Sequence, residues 1–226
     1  MPDPVPHGDE DALSAEGFIL AGGYASRFGS DKSLALLDQR PLIALMLDLF
    51  ASVGLTARIA GARGDALAGF APIIPDEHPA SGPLSGIHAG LRASSAEWSV
   101  FLPVDMPLIP SALLFCLQRR ARLTRAVVTC QRVSGRLQPF PVVLHCSALP
   151  AVTAALAQSS GCSRLWQSFA PGQLDAPCLE SLLQSAQLPA DPITPSLWLH
   201  SANTQADLAL MRYFFALRAK SRTLEM

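Results

Sequence analysis

Beyond residue 16 the chain alternates short apolar runs with stretches whose apolar residues recur at helical spacing. Strands are expected at residues 17–21, 57–60, 72–75, 99–104 and 126–129, and helices at 41–53, from Pro83 onward, and at 110–122. That order is the βαβ rhythm of a parallel sheet covered by helices on both faces. The fold class it predicts is α/β, a Rossmann-like three-layer α/β/α sandwich with a mostly parallel sheet. After residue 130 the pattern loosens: an apolar run at 140–144, helices at 149–157 and 162–169, a strand at 197–200 and a closing helix at 204–218. Residues 1–16 offer little to bury and read as a disordered leader, leaving 17–226 as one domain.

Composition narrows the class further. No apolar run approaches the roughly 20 residues a membrane helix needs, and the leader lacks an apolar signal core, so a cytoplasmic protein without membrane contact is expected. The cysteines Cys116, Cys130, Cys146, Cys162 and Cys178 are odd in number and contain no C-x-x-C pair, which argues for reduced thiols over a zinc ribbon. With a net charge of −1, nothing global points to nucleic acid. The charge is unevenly spread, however. Between Met106 and Leu174 there is no Asp or Glu, yet Arg119, Arg120, Arg122, Arg125, Arg132, Arg136 and Arg164 all lie there. Either this region faces an anion, or Arg119, Arg120, Arg122 and Arg125 form the solvated end of a helix, where cations suit the macrodipole.

The first strand runs through Leu20 and Ala21 into Gly22-Gly23-Tyr24-Ala25-Ser26-Arg27-Phe28-Gly29-Ser30-Asp31-Lys32. In an open parallel sheet, ligands bind in the crevice beyond the carboxyl ends of the strands. Gly22 and Gly23 can turn successive N–H groups toward a phosphate chain, and Arg27 and Lys32 add positive charge at the same place. The chain has only two lysines, Lys32 and Lys220, which sets Lys32 apart from surface decoration. Neither G-x-G-x-x-G nor a Gly-Lys-Ser/Thr P-loop fits, because Ser30 and Asp31 separate Gly29 from Lys32.

These residues resemble the L-A-G-G-x-S-x-R-M-G-x-D-K opening of the molybdenum cofactor guanylyltransferases and their relatives in the MobA-like nucleotidyltransferase group, with Ala25 for Ser and Phe28 for Met. The resemblance implies a nucleotide-diphospho-sugar transferase-like fold and a nucleotide-binding role for Leu20, Ala21, Gly22, Gly23 and Lys32. It implies transfer of GMP from GTP to the phosphate of molybdopterin or its molybdenum-loaded form, with release of pyrophosphate. A molybdoenzyme or another protein of the cofactor pathway would be a further partner. The Gly-Gly and Asp-Lys variant is closer to the guanylyl branch than to the cytidylyl branch.

Later segments continue the resemblance. Asp76, followed by Gly82-Pro83-Leu84-Ser85-Gly86-Ile87, matches the family's D-x(n)-G-P-L-x-G-I and is expected to help hold the nucleotide. The residue reading alone leaves open that Asp76 simply caps a turn. Asp105 emerges from an apolar strand at its carboxyl end, where a buried carboxylate needs a positive partner. Mg²⁺ suits it, since Mg²⁺ favours one or two carboxylates plus substrate phosphates, and the resemblance implies the same metal role. Lys32, Arg27 and Asp105 are therefore the expected catalytic groups. Arg136, before Leu137-Gln138-Pro139, and Arg164, in Gly161-Cys162-Ser163-Arg164-Leu165, resemble later family motifs and are candidates for the pterin phosphate. Ser201-Ala202-Asn203-Thr204-Gln205-Ala206-Asp207-Leu208 resembles the closing N-x-N-T-x-x-D-L, with Ala or Ser where the first Asn would be; Thr204 makes an ordinary helix N-cap, and the structural role is put first there. His78 and His88 lie near one another without H-E-x-x-H spacing and are expected to be structural. Two other functions fit the same residues: a transferase of this fold using CTP or another phosphorylated acceptor, or a non-catalytic carrier of the molybdenum cofactor.

Overall fold

The computed structural model describes residues 14–22, 31–61, 66–78, 81–186 and 191–224. Residues 1–13 of the expected leader therefore lie outside the described residues, as do Gly23 and Arg27. Ala15 and Glu16, counted above with the leader, belong instead to the first strand, β1 (Ala15–Leu20). They pair in parallel with Trp98 and Ser99, and the Glu16 carboxylate accepts from Arg58 and from the Ser95 backbone and hydroxyl. A short composition-poor segment is thus ordered by neighbours that its own sequence does not show.

The chain continues through a hairpin, β2 (Leu36–Leu37) and β3 (Arg40–Pro41), into α1 (Leu42–Ser52), β4 (Ala57–Ala60) and β5 (Ile73–Ile74). Next come α2 (Pro83–Ala93), β6 (Trp98–Pro103), α3 (Ser111–Thr124), β7 (Val128–Val133) and β8 (Arg136–His145). The remainder comprises α4 (Leu149–Ala157), α5 (Cys162–Gln167), β9 (Leu174–Asp175), α6 (Leu179–Ala186), α7 (Pro195–Trp198) and α8 (Gln205–Leu224). A seven-stranded sheet has the order β5-β4-β1-β6-β8-β7-β9. All adjacent pairs are parallel except those made by β8, which runs opposite to both β6 and β7.

Alternation along β1 separates the two helical layers. A Cβ on Gly17 would strike the Phe50 ring of α1, whereas Phe18, one residue on, lies against Gly90 of α2. Phe18 stacks on Phe101 with ring centroids 5.0 Å apart, and both rings are fully buried. Gly90 is required there, because any Cβ would come within 2.6 Å of the Phe101 ring. The layer on one face holds α1 and α3; on the other α2 packs on the sheet beside α4, with α5 against β8.

One expected strand is not a strand. Residues 195–198 form a turn of helix, because Pro195 supplies its first position and Trp198 turns inward to 4% exposure. The apolar run Leu197-Trp198-Leu199 packs on the core instead of pairing with a strand. For the arginines of α3 the structure follows the second of the two readings, the end of a helix. Because α3 runs back against the strands, its last turn lies at the amino ends of the sheet. There Arg125 pairs with Glu97 and Arg120 with Asp175, at 2.6 and 2.8 Å in the latter pair. These two cations meet carboxylates beyond either end of the acid-free stretch, so part of the asymmetry in sequence is cancelled in space.

Three thiols, Cys116, Cys130 and Cys162, are buried, and burial pushes those of Cys130 and Cys162 up to about 12. Cys146 and Cys178 are exposed. A chromogenic disulfide at pH 8 should titrate these two in the native protein and all five after denaturation. Rapid labelling of a third thiol in the native state would contradict the packing.

Candidate active site

The carboxyl ends of β1, β4 and β6 meet at one place. The Val104 N–H donates to the Leu20 carbonyl at 3.1 Å and the Ala21 N–H to that of Ala60 at 3.0 Å, so the segments leaving the three strands stay in register as they reach the edge. Gly22 then runs against Gly61, and a Cβ on Gly22 would lie 2.5 Å from the Gly61 carbonyl oxygen. Gly61 has φ +79°, a left-handed conformation that favours glycine, and the Cα of Gly86 in the first turn of α2 lies 3.7 Å from its would-be Cβ. Backbone from β1, β4 and α2 therefore comes together with no side chain between. Gly22 and Gly86 both stand in motifs legible in the sequence, whereas Gly61 acts through a close approach visible only once the strands are assembled.

Asp105 follows β6 at the same edge. The Lys32 ammonium donates to Asp105 Oδ2 at 2.6 Å and to Asn203 Oδ1 at 2.9 Å, with the Lys32 and Asp105 side chains 18% and 19% exposed. The turn that delivers Lys32 is built locally: Asp31 accepts from the Ser33 N–H at 2.9 Å and caps the short 3-10 helix Lys32–Leu34. Even a solvated pair of this type contributes only about 0–1 kcal/mol to folding, and partial burial adds desolvation cost. Stability alone is a weak reason to hold these charges together, whereas a site that binds polyphosphate needs both.

Asn203 is the residue that sequence reasoning undervalued. It reaches Lys32 because the Ala202 N–H donates to the Asp105 carbonyl at 2.8 Å. Asp207 then fixes the turn. It accepts from the Asn203 and Thr204 N–H groups at 2.9 and 2.7 Å, from the Thr204 hydroxyl at 3.0 Å, and lies 3.1 Å from His200 Nε2. These contacts, led by His200, hold the Asp207 carboxyl below its ordinary range. The helix α8 is anchored at two points along its length: Arg212 donates to the Leu36 carbonyl of the hairpin at 3.2 Å, and Arg218 to that of Leu108, just past Asp105, at 2.9 Å. The Asn-Thr-x-x-Asp spacing was the available signal, and it serves both the helix start and the site.

The other expected residues divide. Leu20, Ala21 and Gly22 lie at this edge, while Gly23 and Arg27 are outside the described residues. Asp76 sits in the β5–α2 loop, where its Oδ1 accepts from the His78 N–H at 2.8 Å and from the Ser85 hydroxyl. It thus ties its loop to the start of α2, the turn-capping role that the residues alone had left open; the described residues show no contact from it to Lys32 or Asp105. Arg136 opens β8 beyond the tight turn at Ser134 and Gly135. Val142 is level with Phe101, so Arg136 overhangs the carboxyl end of β6 by roughly 13 Å of extended chain. Arg164 is exposed on α5, whose Trp166 indole donates to the Pro139 carbonyl at 3.3 Å, so that helix flanks the same end of β8. Neither arginine touches Asp105 or Lys32 among the described residues.

A sequence model of the MobA-like NTP transferase domain matches residues 17–175. The chain belongs to the MobA-like NTP transferase family. It is 38% identical over 145 residues to the molybdenum cofactor guanylyltransferase of Vibrio cholerae, an alignment covering 62% of this chain and 70% of that one. It is 35% identical over 139 residues to the probable molybdenum cofactor guanylyltransferase of Deinococcus radiodurans, covering 62% and 72%. Among solved structures it resembles molybdopterin-guanine dinucleotide biosynthesis protein A from Archaeoglobus fulgidus, with a TM-score of 0.72, 19% identity and coverage of 89% and 98%. That last likeness establishes the shared fold of these MobA-like transferases. No described helix is long and apolar enough to cross a membrane.

Because the Gly22–Gly61 approach is backbone on backbone, Gly22→Ala cannot be relieved by a side-chain rotation. It should lower stability by about 1–3 kcal/mol and abolish most of the thermal stabilisation that nucleoside triphosphate confers. Gly69→Ala, at a position with open space around it, should behave as wild type in both respects. Equal melting temperatures and equal nucleotide-induced shifts in the two variants would refute the close-approach account.

Proposed function

We propose that the protein transfers the GMP moiety of GTP to the terminal phosphate of molybdopterin or its molybdenum-loaded form. The observation that carries this reading is the Lys32 ammonium held between Asp105 and Asn203 at the crevice edge, beside the side-chain-free backbone at Gly22, Gly61 and Gly86. A phosphate chain lying there would meet a fixed cation, N–H groups and a carboxylate within one crevice. The guanine preference and the pterin acceptor rest on the relatives named above, together with the Gly-Gly and Asp-Lys form of the loop.

Chemically, an oxygen of the acceptor phosphate attacks the α-phosphorus of GTP. The bond from that phosphorus to the oxygen bridging toward the β-phosphate breaks, and pyrophosphate departs with the electron pair. No protein nucleophile is needed, so the residues act by position and charge. Lys32 compensates the triphosphate, with Arg27 adding to it from the glycine-rich loop. Asn203 and Asp105 together fix where the Lys32 ammonium points.

Mg²⁺ fits the donors at this edge. Asp105 and Asn203 present hard oxygen atoms, and a cation that takes one or two carboxylates plus phosphate oxygens would find its protein ligand in Asp105. When bound, Mg²⁺ supplies neutralisation of the charge that develops on the phosphates. Asp76 supports the nucleotide side by holding the β5–α2 loop against α2. Arg136 and Arg164 receive the acceptor, since both lie on elements that flank the crevice rather than on its floor.

Pyrophosphate release from GTP and from CTP, with Mg²⁺ and molybdenum-loaded pterin, tests the reading. Release should require GTP and fall about a hundredfold or more in Asp105→Ala. Arg164→Ala should weaken use of the pterin about tenfold while leaving the KM for GTP near wild type. Release from CTP instead would assign the cytidylyl reaction. Tight GTP binding with no release would assign the carrier role, and equal loss of GTP and pterin use in Arg164→Ala would remove that arginine from the acceptor site.

A further inference from the structure

His78 and His88, set aside on sequence as structural, come together in space with Glu77. One ligand atom from each of the three lies within 4.8 Å of the other two. The imidazole rings of His78 and His88 meet edge-on with centroids 5.3 Å apart. His88 sits in α2 at 5% exposure, and its Nδ1 is buried without a hydrogen-bond partner among the described residues. A buried polar atom left unpaired costs about 1–3 kcal/mol, so an apolar residue would serve α2 better unless the ring has a ligand to meet.

The geometry points to a second metal site, separate from Asp105, in which Glu77, His78 and His88 bind a divalent transition metal of the Zn²⁺ type. Two imidazoles and one carboxylate suit Zn²⁺, Co²⁺ or Ni²⁺, whereas Mg²⁺ prefers an all-oxygen shell. Ligand atoms around a tetrahedral Zn²⁺ are roughly 3.4 Å apart, so closure from separations within 4.8 Å requires up to about 1.4 Å of adjustment. The exposed side chains of Glu77 and His78 can make that adjustment while His88 stays fixed in its helix. Burial, aided by His78 and Arg92 and opposed by Glu77, lowers the proton affinity of His88, which favours the neutral imidazole that metals bind. Arg92 pairs with Glu77 Oε2 at 2.6 Å, which leaves Oε1 of the same carboxylate for the ion.

The site has a structural consequence for its neighbour. Asp76 directly precedes Glu77 and already binds the His78 N–H and the Ser85 hydroxyl. An ion joining Glu77 and His78 to His88 would lock the β5–α2 loop to α2 a second time, one turn farther along the helix. Three protein ligands leave at least one position open to water or a ligand oxygen.

The full-length chain, stripped with a chelator and exchanged into metal-free buffer, should take up one Zn²⁺ in competition with a chromogenic chelator. Co²⁺ should give the visible absorption of a four- or five-coordinate site in the same ratio. His78→Gln, an exposed change that leaves the core untouched, should weaken Zn²⁺ binding at least about tenfold, and His88→Gln likewise. Cys146→Ser, which alters an exposed thiol beside His145, should leave it unchanged. Absence of stoichiometric uptake, uptake that survives His78→Gln, or uptake lost in Cys146→Ser would each overturn the assignment.

Discussion

One ammonium group, that of Lys32, joins three parts of the chain that are far apart in sequence. Asp105 ends a central strand, Asn203 precedes the last helix, and Lys32 follows the glycine-rich loop; the two hydrogen bonds of 2.6 and 2.9 Å bring all three to one point. The contact works only because the sheet order puts β1 beside β6, so that the loop after the first and the aspartate after the second emerge as neighbours. The return of α8, pinned at Leu36 and Leu108, then supplies the third member.

The surrounding architecture serves this arrangement. Parallel strands send their carboxyl ends to the same edge, which is where an α/β sheet binds ligands. Small residues let the backbone approach: Gly90 admits the stacked Phe18 and Phe101 under α2, and Gly86 brings the start of α2 to 2.9 Å from a Leu20 methyl group, measured from where its Cβ would be. The antiparallel β8 interrupts the parallel series, carries the β7–β8 hairpin past the edge, and so gives the crevice a wall bearing Arg136. In each case packing decides how near a functional group can come, and charge decides what it does there.

Much of this was legible from residue order because it depends on local pattern. Residues 57–60 and 149–157 carry their periodicity openly and form the expected strand and helix. Asp105 stood out because a carboxylate at the end of an apolar strand has few structural uses. The less legible features all depend on long-range assembly. Asn203 looked like part of a helix start, since nothing nearby in sequence reveals Asp105 or Lys32. Glu77, His78 and His88 lacked a recognisable spacing because one ligand is on a helix and two are on a loop folded over it. The arginines at the end of α3 could be read two ways because the partners of Arg125 and Arg120, Glu97 and Asp175, lie outside the acid-free stretch. Pro195 overrode the strand pattern at residues 197–200, since the turn it starts lets Trp198 reach the core.

If Asn203 contributes to catalysis by aiming the Lys32 ammonium, then its effect must vanish once that ammonium is gone. A double-mutant cycle on pyrophosphate release tests this most directly, comparing Lys32→Met, Asn203→Ala and the combination under one set of conditions. The account predicts that kcat/KM of the double variant equals that of Lys32→Met, although Asn203→Ala alone lowers it. Losses that multiply independently would show that the two residues act separately, and would contradict the Lys32-centred site.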